Sequence, residues 1–479
     1  MTSNAETPSR KLPIGRLVRD YIVLSGGQFI SKILGFAIFA YLARVLTVAE
    51  YGAVETVVGM SLIGYKVVEM GTGSIAVRWI TQNTSNLRDT LGAVISARFL
   101  IALIVVPVLG FAYSTAAGAD LPTQLVWLFA LSLFAAPFAH EWLFQAHEKM
   151  AIAAFGPMLR MVVFVGAVLA LSPARLGVAA VGYAEIIGIG VAVIYYSVAA
   201  RVTLGARNPN YGLKPAIRLA SQSTPLGVSA FLNSFGLYGP VLIVTAIAGA
   251  EQAGLFGAAH RVVASATTFS FVYYFNIYPL LSRLLASDPA RLQDLLNASV
   301  RVTGWAGVTL ALGMWAVGDP AMRIIFGNDF AAAGPIFSVL GWMMVFELVS
   351  GNARWLLVAA HRQTSLAVAQ AIGATLAIVL TYVMAGQWGG VGAALAVVLA
   401  NAGIWIYAQI RTRGLPARPP LGPLAAPVTA AVILYAAISV WGPNPFVAGV
   451  LITVVMGALA LIDRNFVAAV KMLSHAKNA

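Results

Sequence analysis

The 479-residue chain contains no cysteine, which excludes disulfides and thiolate-bound metal sites. Charge is scarce as well: Asp, Glu, Lys and Arg make up 10% of the sequence, against about 25% in soluble domains. Acidic residues are the rarer sign, with 17 Asp and Glu against 30 Lys and Arg. Several chemical signatures are missing. There is no Gly-Lys dipeptide, so no phosphate loop of the kind that binds ATP, and no HExxH, GxSxG or Asp-x-Asp. No loop assigned to the outer side exceeds about a dozen residues, which leaves no room for an extramembrane catalytic domain. The chain is therefore expected not to be an enzyme and to need no cofactor or metal.

What is present is hydrocarbon. Apolar residues form 60% of the chain and the mean hydropathy is +0.85. A spanning helix needs about 20 predominantly apolar residues, and fourteen segments of that kind can be counted between residues 21 and 463, separated by short breaks rich in Pro, Gly, Asn and Arg. The seventh (216–248) and tenth (332–357) are long enough to be tilted or broken. The expected fold is an all-α polytopic membrane protein. Its divisions are a cytoplasmic segment 1–20, six spans in 21–200, a cytoplasmic linker 201–215, six spans in 216–411, two further spans in 421–463 and a cytoplasmic tail 464–479.

The basic residues support this count, because short cytoplasmic loops collect Lys and Arg. With the N-terminus inside, 22 of the 30 basic residues fall on the cytoplasmic side, Arg354 among them, and only Arg44, Arg175 and Arg323 fall outside. An even number of spans with both termini inside follows. The net charge of +13 is then the orientation signal and contact with anionic lipid headgroups, not a sign of nucleic-acid binding.

Three short matches suggest that the two groups of six are repeats. "VAEYGAVE" pairs with "AEQAGLFG", placing Gly52 against Gly254; "QAHEKMAIA" pairs with "AAHRQTSLA", placing His147 against His361; "RLGVAAVGYA" pairs with "QWGGVGAALA", placing Gly177 against Gly389. An even span count in each repeat makes them parallel, related by an axis along the membrane normal.

Five basic residues lie inside predicted spans: Lys32, Lys66, Arg98, Arg160 and Arg261. Each costs about 2.5–3.5 kcal/mol on insertion scales unless it meets protein or water. Lys32 is roughly 17 Å from the cytoplasmic end of its span at 1.5 Å per residue, beyond the reach of its own stem. Two explanations compete: these residues line a cationic cavity for an anionic cargo, or they pair with acids to lock helices, as Lys66 and Glu69 could do at i,i+3. Glu69, Glu185 and Glu347 are candidate proton or ion coupling sites, because a carboxylate in low dielectric titrates with its surroundings. The run "NSFGLYGP" interrupts the seventh span, making Gly236, Gly239 and Pro240 a candidate gate.

The stretches "YLARVLTVAEYGAVETV", "EWLFQAHEKMAIAA", "FGNDFAAAGPIFSVLGWMM" and "GQWGGVGAALAVVLANA" resemble the polysaccharide-transporter branch of the multidrug/oligosaccharidyl-lipid/polysaccharide exporter superfamily, the Wzx-type O-antigen and exopolysaccharide flippases. The resemblance implies two six-helix lobes around a central cavity and alternating access. It also implies outward movement of undecaprenyl-pyrophosphate-linked oligosaccharide units across a bacterial inner membrane for O-antigen, capsule or exopolysaccharide synthesis. The partners it implies are the polyprenyl-pyrophosphate-linked oligosaccharide, membrane lipids, a polysaccharide polymerase and a chain-length regulator. Two alternatives stay open: a multidrug/cation antiporter of the same superfamily, and a peptidoglycan-precursor lipid flippase. The antiporter would be expected to carry acids where the first span carries Lys32.

Overall fold

The computed structural model describes residues 14–475 apart from 83–85 and 117–120, with side chains from 26 to 473. Most of the N-terminal segment expected at 1–20, and the end of the tail, lie outside the described residues. Among the described residues every regular element is helical. The first lobe comprises α1 (Ile14–Val45), α2 (Val48–Glu69), α3 (Thr72–Thr81), α4 (Leu87–Ala116), α5 (Thr123–Ser132), α6 (Glu141–Ala146), α7 (Met150–Leu171), α8 (Pro173–Leu176) and α9 (Ala179–Leu204). The second comprises α10 (Leu213–Ser287), α11 (Pro289–Ala316), α12 (Gly318–Phe326), α13 (Gly334–Gly341), α14 (Met343–Ala359) and α15 (Gln363–Arg411). The remaining elements are α16 (Ala425–Trp441), α17 (Pro445–Ile462) and α18 (Arg464–His475).

Among the described residues, ten helical stretches are long and apolar enough to cross a membrane. Two of them cannot cross once. As straight helices, α10 with 75 residues and α15 with 49 would extend about 112 and 74 Å, against a hydrocarbon core of about 30 Å. Each turns at one glycine in a backbone conformation that side chains disfavour: Gly249 (φ 86°) and Gly389 (φ 55°). The contacts along α2 show the reversal. Gly59 and Gly71 meet Val241 and Leu226, in descending order, whereas Gly52 and Glu55 meet Gly254 and Gly257, in ascending order. The two halves of α10 therefore run in opposite directions beside α2. Counting each half as a span, and adding α2 with α3 and α11, gives the fourteen spans. We call the side from which α1 enters the near face and the other the far face.

The interruptions fall elsewhere than the sequence suggests. α10 is continuous through Asn233–Pro240, because mid-helix glycines and a proline are absorbed by neighbouring helices: a Cβ on Gly236 would lie 3.2 Å from Ala374 Cα. The expected gate at Gly236, Gly239 and Pro240 is thus unbroken helix. The second span breaks at Met70 and Gly71, both left-handed (φ 48° and 68°). The fourth breaks into a 3-10 stretch at Leu133–Phe138, and the tenth changes helix at Trp342.

The repeats have matching backbone geometry. Gly177 (φ 60°, ψ −152°) and Gly389 (φ 55°, ψ −136°) share one unusual conformation. In the second match the register moves by one: Glu148 (φ 56°), not His147, corresponds to His361 (φ 57°). Each lies inside the same wide turn, Lys149 N–H to the Phe144 carbonyl at 2.8 Å and Arg362 N–H to the Leu357 carbonyl at 2.9 Å.

α16 and α17 pack on α11 through Trp305, Val308 and Leu312 against Leu434, Ile438 and Ile452. Asp463 anchors the start of α18, accepting from Arg301 Nη1 at 2.6 Å and Trp305 Nε1 at 3.3 Å.

Candidate functional site

The lobes meet most intimately at the far end of α2. A Cβ placed on Gly52 would lie 1.8 Å from the Ala250 carbonyl oxygen, and one on Gly254 would lie 2.2 Å from the Val48 oxygen. The pairs are equivalent by the repeat, so the pseudo-two-fold passes between two backbones in direct contact. One turn deeper, Glu55 of the first lobe accepts two bonds from Arg261 of the second, Nε at 2.8 Å and Nη2 at 2.7 Å. Tyr51 donates its hydroxyl to the same carboxylate at 2.7 Å. The Arg261 guanidinium also sits 3.4 Å from the centroid of the Phe39 ring, and the hydroxyls of Thr56 and Thr245 are 2.6 Å apart. A bidentate pair with its other face on an aromatic ring is strong and directional. In this state Arg261 latches the far seam, and its guanidinium is taken up by protein.

A second group of charges fills the near half of the first lobe. Arg98 is 2% exposed. Its Nε donates to Thr72 Oγ1 at 2.8 Å, its Nη1 to the Ala136 and Ala139 carbonyls at 3.2 Å each, and its Nη2 lies 3.7 Å from Glu69. Those carbonyls belong to the break in the fourth span, and Thr72 opens α3 after the break in the second. Irregular backbone at membrane depth must find partners inside the protein, and Arg98 supplies them to both breaks. Lys66, 40% exposed, pairs with Glu69 at 3.5 Å. Arg160, 36% exposed, pairs tightly with Glu185. Glu141 accepts from Gln145 at 3.0 Å within electrostatic reach of Lys66 and Glu69. Lys66 and Arg98 thus share Glu69, while Arg160 has Glu185 to itself.

Lys32 is different. It is exposed, has no carboxylate partner among the described residues, and donates from Nζ to Thr268 Oγ1 at 3.2 Å. α1 is held on α7 by close approaches, Gly27 to Ala154 and Gly35 to Met161, whereas Thr268 belongs to the second half of α10. The one mid-span cation left without an acid therefore reaches from the first lobe to the second.

The third coupling candidate, Glu347, pairs with Arg354 at 2.7 Å. Both line a cavity of about 170 Å³ inside the second lobe, together with Asn233, His260, Gln370 and Asn401. Gly236 also lines it. Arg354, read from the sequence as a cytoplasmic-side residue, is thus a partly buried member of a polar chamber.

Residues 17–285, more than half of the chain, match the family described as polysaccharide biosynthesis protein. The chain belongs to that family. A stretch of 131 residues is 24% identical to the succinoglycan biosynthesis transport protein ExoT of Rhizobium meliloti (strain 1021), covering 27% of this chain. The matched stretch spans about a quarter of that protein's length, 26%. Among solved structures, the lipid II flippase MurJ in its inward closed conformation superposes with a TM-score of 0.72, at 14% identity over 93% of this chain and all of that one. An inward-facing multidrug resistance MATE transporter of the MOP superfamily superposes with 0.60, at 13% identity over 83% of this chain and 98% of that one. The polysaccharide biosynthesis protein described here is thus a multi-pass membrane protein with the fold of these transporters.

Within this family member, the residue that sequence reasoning missed is Glu55. It sits in the first repeat match, opposite Gly257. A Cβ on Gly257 would lie 2.8 Å from Glu55 Cγ, so the missing side chain in one repeat makes room for the acid in the other. A glutamate aligned with a glycine across a pseudo-two-fold was the available signal.

Proposed function

We propose that this protein moves lipid-linked oligosaccharide units, carried on undecaprenyl pyrophosphate, from the cytoplasmic to the outer leaflet of a bacterial inner membrane by rocking of the lobes 21–200 and 216–411. In this reading the near face is cytoplasmic, both termini lie there, and the exported units feed a polysaccharide polymerase and its chain-length regulator. Membership of the polysaccharide biosynthesis family and the transporter fold support it. The observation that carries it is Lys32: an exposed cation between the lobes with no acid to neutralise it among the described residues, suited to an anionic headgroup. Lys66 and Arg160, half exposed beside their acids, extend that contact once pyrophosphate competes for them. A cargo charge near −2 moving outward gains about 4.6 kcal/mol per 100 mV, from about 2.3 per unit charge, so the membrane potential favours export. Glu347 is the coupling candidate that faces a cavity; Glu69 and Glu185 serve as acids that release their bases to the cargo.

The test is translocation of a polyprenyl-pyrophosphate-linked oligosaccharide in proteoliposomes. Lys32→Ala is expected to lower transport about tenfold, the effect of losing one charge-assisted contact, with insertion and folding unchanged. Wild-type rates in a well-folded Lys32→Ala protein would remove Lys32 from the cargo path. Export of a cationic dye in place of the lipid cargo would turn the reading to the antiporter.

A further inference from the structure

On the near face, the linker after α9 folds back over the start of α4 before entering α10. Asn210 fastens it: its amide N–H bonds the Arg88 carbonyl at 3.1 Å and its Nδ2 donates to Asp89 at 2.9 Å. A Cβ on Gly92 would lie 2.0 Å from the Asn210 oxygen, so only glycine admits the linker there. Between this fold and α3 lies a pocket of about 470 Å³ lined by Trp79, Asp89, Tyr211, Lys214 and Arg218. Lys214 and Arg218 are four apart on one face of α10, both exposed, and neither has a carboxylate within ion-pair distance among the described residues. Arg218 lies 5.8 Å from the Trp79 ring centroid, and the indole N–H is held by Gln222 at 3.1 Å. The first turn of α10 has no side-chain cap; Pro215 has no N–H and that of Ala216 bonds the Gly212 carbonyl, which leaves the N–H groups of Leu213 and Lys214 for an anion beside the two cations.

The repeat supplies a comparison within the molecule. Gln293, 204 positions after Asp89, clamps the loop after α15: it accepts from the Arg418 N–H at 3.1 Å and donates to the Arg418 carbonyl at 2.9 Å. The pocket this makes is about 500 Å³ and again holds two cations, Arg413 and Arg418, with no aromatic ring in its wall. The architecture and the cation pair are shared. The aromatic wall and the position between the lobes belong to the first pocket alone.

We propose that the inter-lobe pocket binds a phosphorylated sugar, its phosphate on Lys214, Arg218 and the open turn of α10, its pyranose ring against Trp79. This deepens the flippase reading and rests on it: the pocket is where the cargo's head first docks. Since one lobe supplies the ring and the other the cations, parting of the lobes at the near face separates the two halves of the site and releases the head towards the cleft.

Calorimetry on the purified full-length protein with glucose 1-phosphate, inorganic phosphate and glucose tests the pocket independently of transport. Glucose 1-phosphate is expected to bind, phosphate about tenfold more weakly and glucose not measurably. Lys214→Gln with Arg218→Gln should weaken glucose 1-phosphate at least about tenfold, since two charge-assisted bonds are lost. Trp79→Leu should bring it to the level of phosphate, and Arg413→Gln with Arg418→Gln should leave it unchanged. Equal losses in the two cation-pair variants, or no binding to wild type, would overturn the proposal. In proteoliposomes the Lys214/Arg218 variant should raise KM for the lipid-linked cargo while kcat holds. Normal KM with glucose 1-phosphate binding intact would overturn the docking role and assign the pocket to a free sugar phosphate. Absence of any transport by wild type, with binding intact, would sink the flippase reading and leave the pocket standing.

Discussion

Gly52→Val is expected to keep the far seam from closing and to cut transport at least about tenfold. The reason lies in which atom the new side chain meets. A Cβ at this position would sit 1.8 Å from the Ala250 carbonyl oxygen and 2.7 Å from the Gly254 nitrogen. Both are backbone, so no rotamer change relieves the clash, and α2 must move away from the second half of α10. Overpacking of this kind costs about 1–3 kcal/mol or more, and about 2 kcal/mol shifts a two-state equilibrium roughly thirtyfold. The penalty falls only on states in which the seam is shut, so the variant should fold and favour far-face opening. The absence of native cysteine makes the measurement direct. Spin labels on Thr123→Cys and Glu251→Cys, both exposed on the far side, should report a longer distance in the Gly52→Val background. Gly254→Val should behave alike. An unchanged distance with normal transport would show that the seam does not need this contact.

Arg98→Met should damage the fold more than the transport chemistry. Four groups lose one contact each: the Thr72 hydroxyl, the Ala136 and Ala139 carbonyls and the Glu69 carboxylate. Removing one member of a buried, hydrogen-bonded charge network costs about 3–5 kcal/mol, most of the margin of a typical protein. The expected result is a large drop in thermal unfolding temperature, or failure to accumulate in the membrane, while Arg98→Lys keeps the charge near Glu69 and recovers part of it. A protein with wild-type unfolding temperature but impaired transport would return Arg98 to the cargo path.

These two residues show where sequence reasoning reached and where it stopped. The fourteen spans and their division were legible because hydrophobic length and the distribution of Lys and Arg are local properties, tied directly to the bilayer. Two of the three repeat matches held in register, since glycines at Gly177 and Gly389 mark a backbone conformation that other residues resist. The buried basic residues were also identifiable as costly. The local pair of Lys66 with Glu69 was legible from its i,i+3 spacing, but the partner of Arg261 was not, because its ion pair with Glu55 joins positions 206 residues apart, and nothing in the spacing distinguishes a cation that faces a cavity from one that faces a distant acid. The helix break expected at Gly236, Gly239 and Pro240 is absent for a related reason. Glycine and proline weaken an isolated helix, but inside a packed lobe the neighbouring helix uses the missing side chain for closer contact.

That this protein lies across a membrane, how often the chain passes through it and that it is built from two related halves can all be read along the linear chain. Which buried charges find a partner emerges from packing. Arg98 holds the two broken spans together, Arg261 latches the far seam, Lys66 and Arg160 lean on acids, and Lys32 alone of the five mid-span cations has no carboxylate partner among the described residues. Hydrophobicity acts on each segment separately and can be read from it, whereas neutralising a charge in low dielectric takes a partner within about 4 Å, and that is a property of packing.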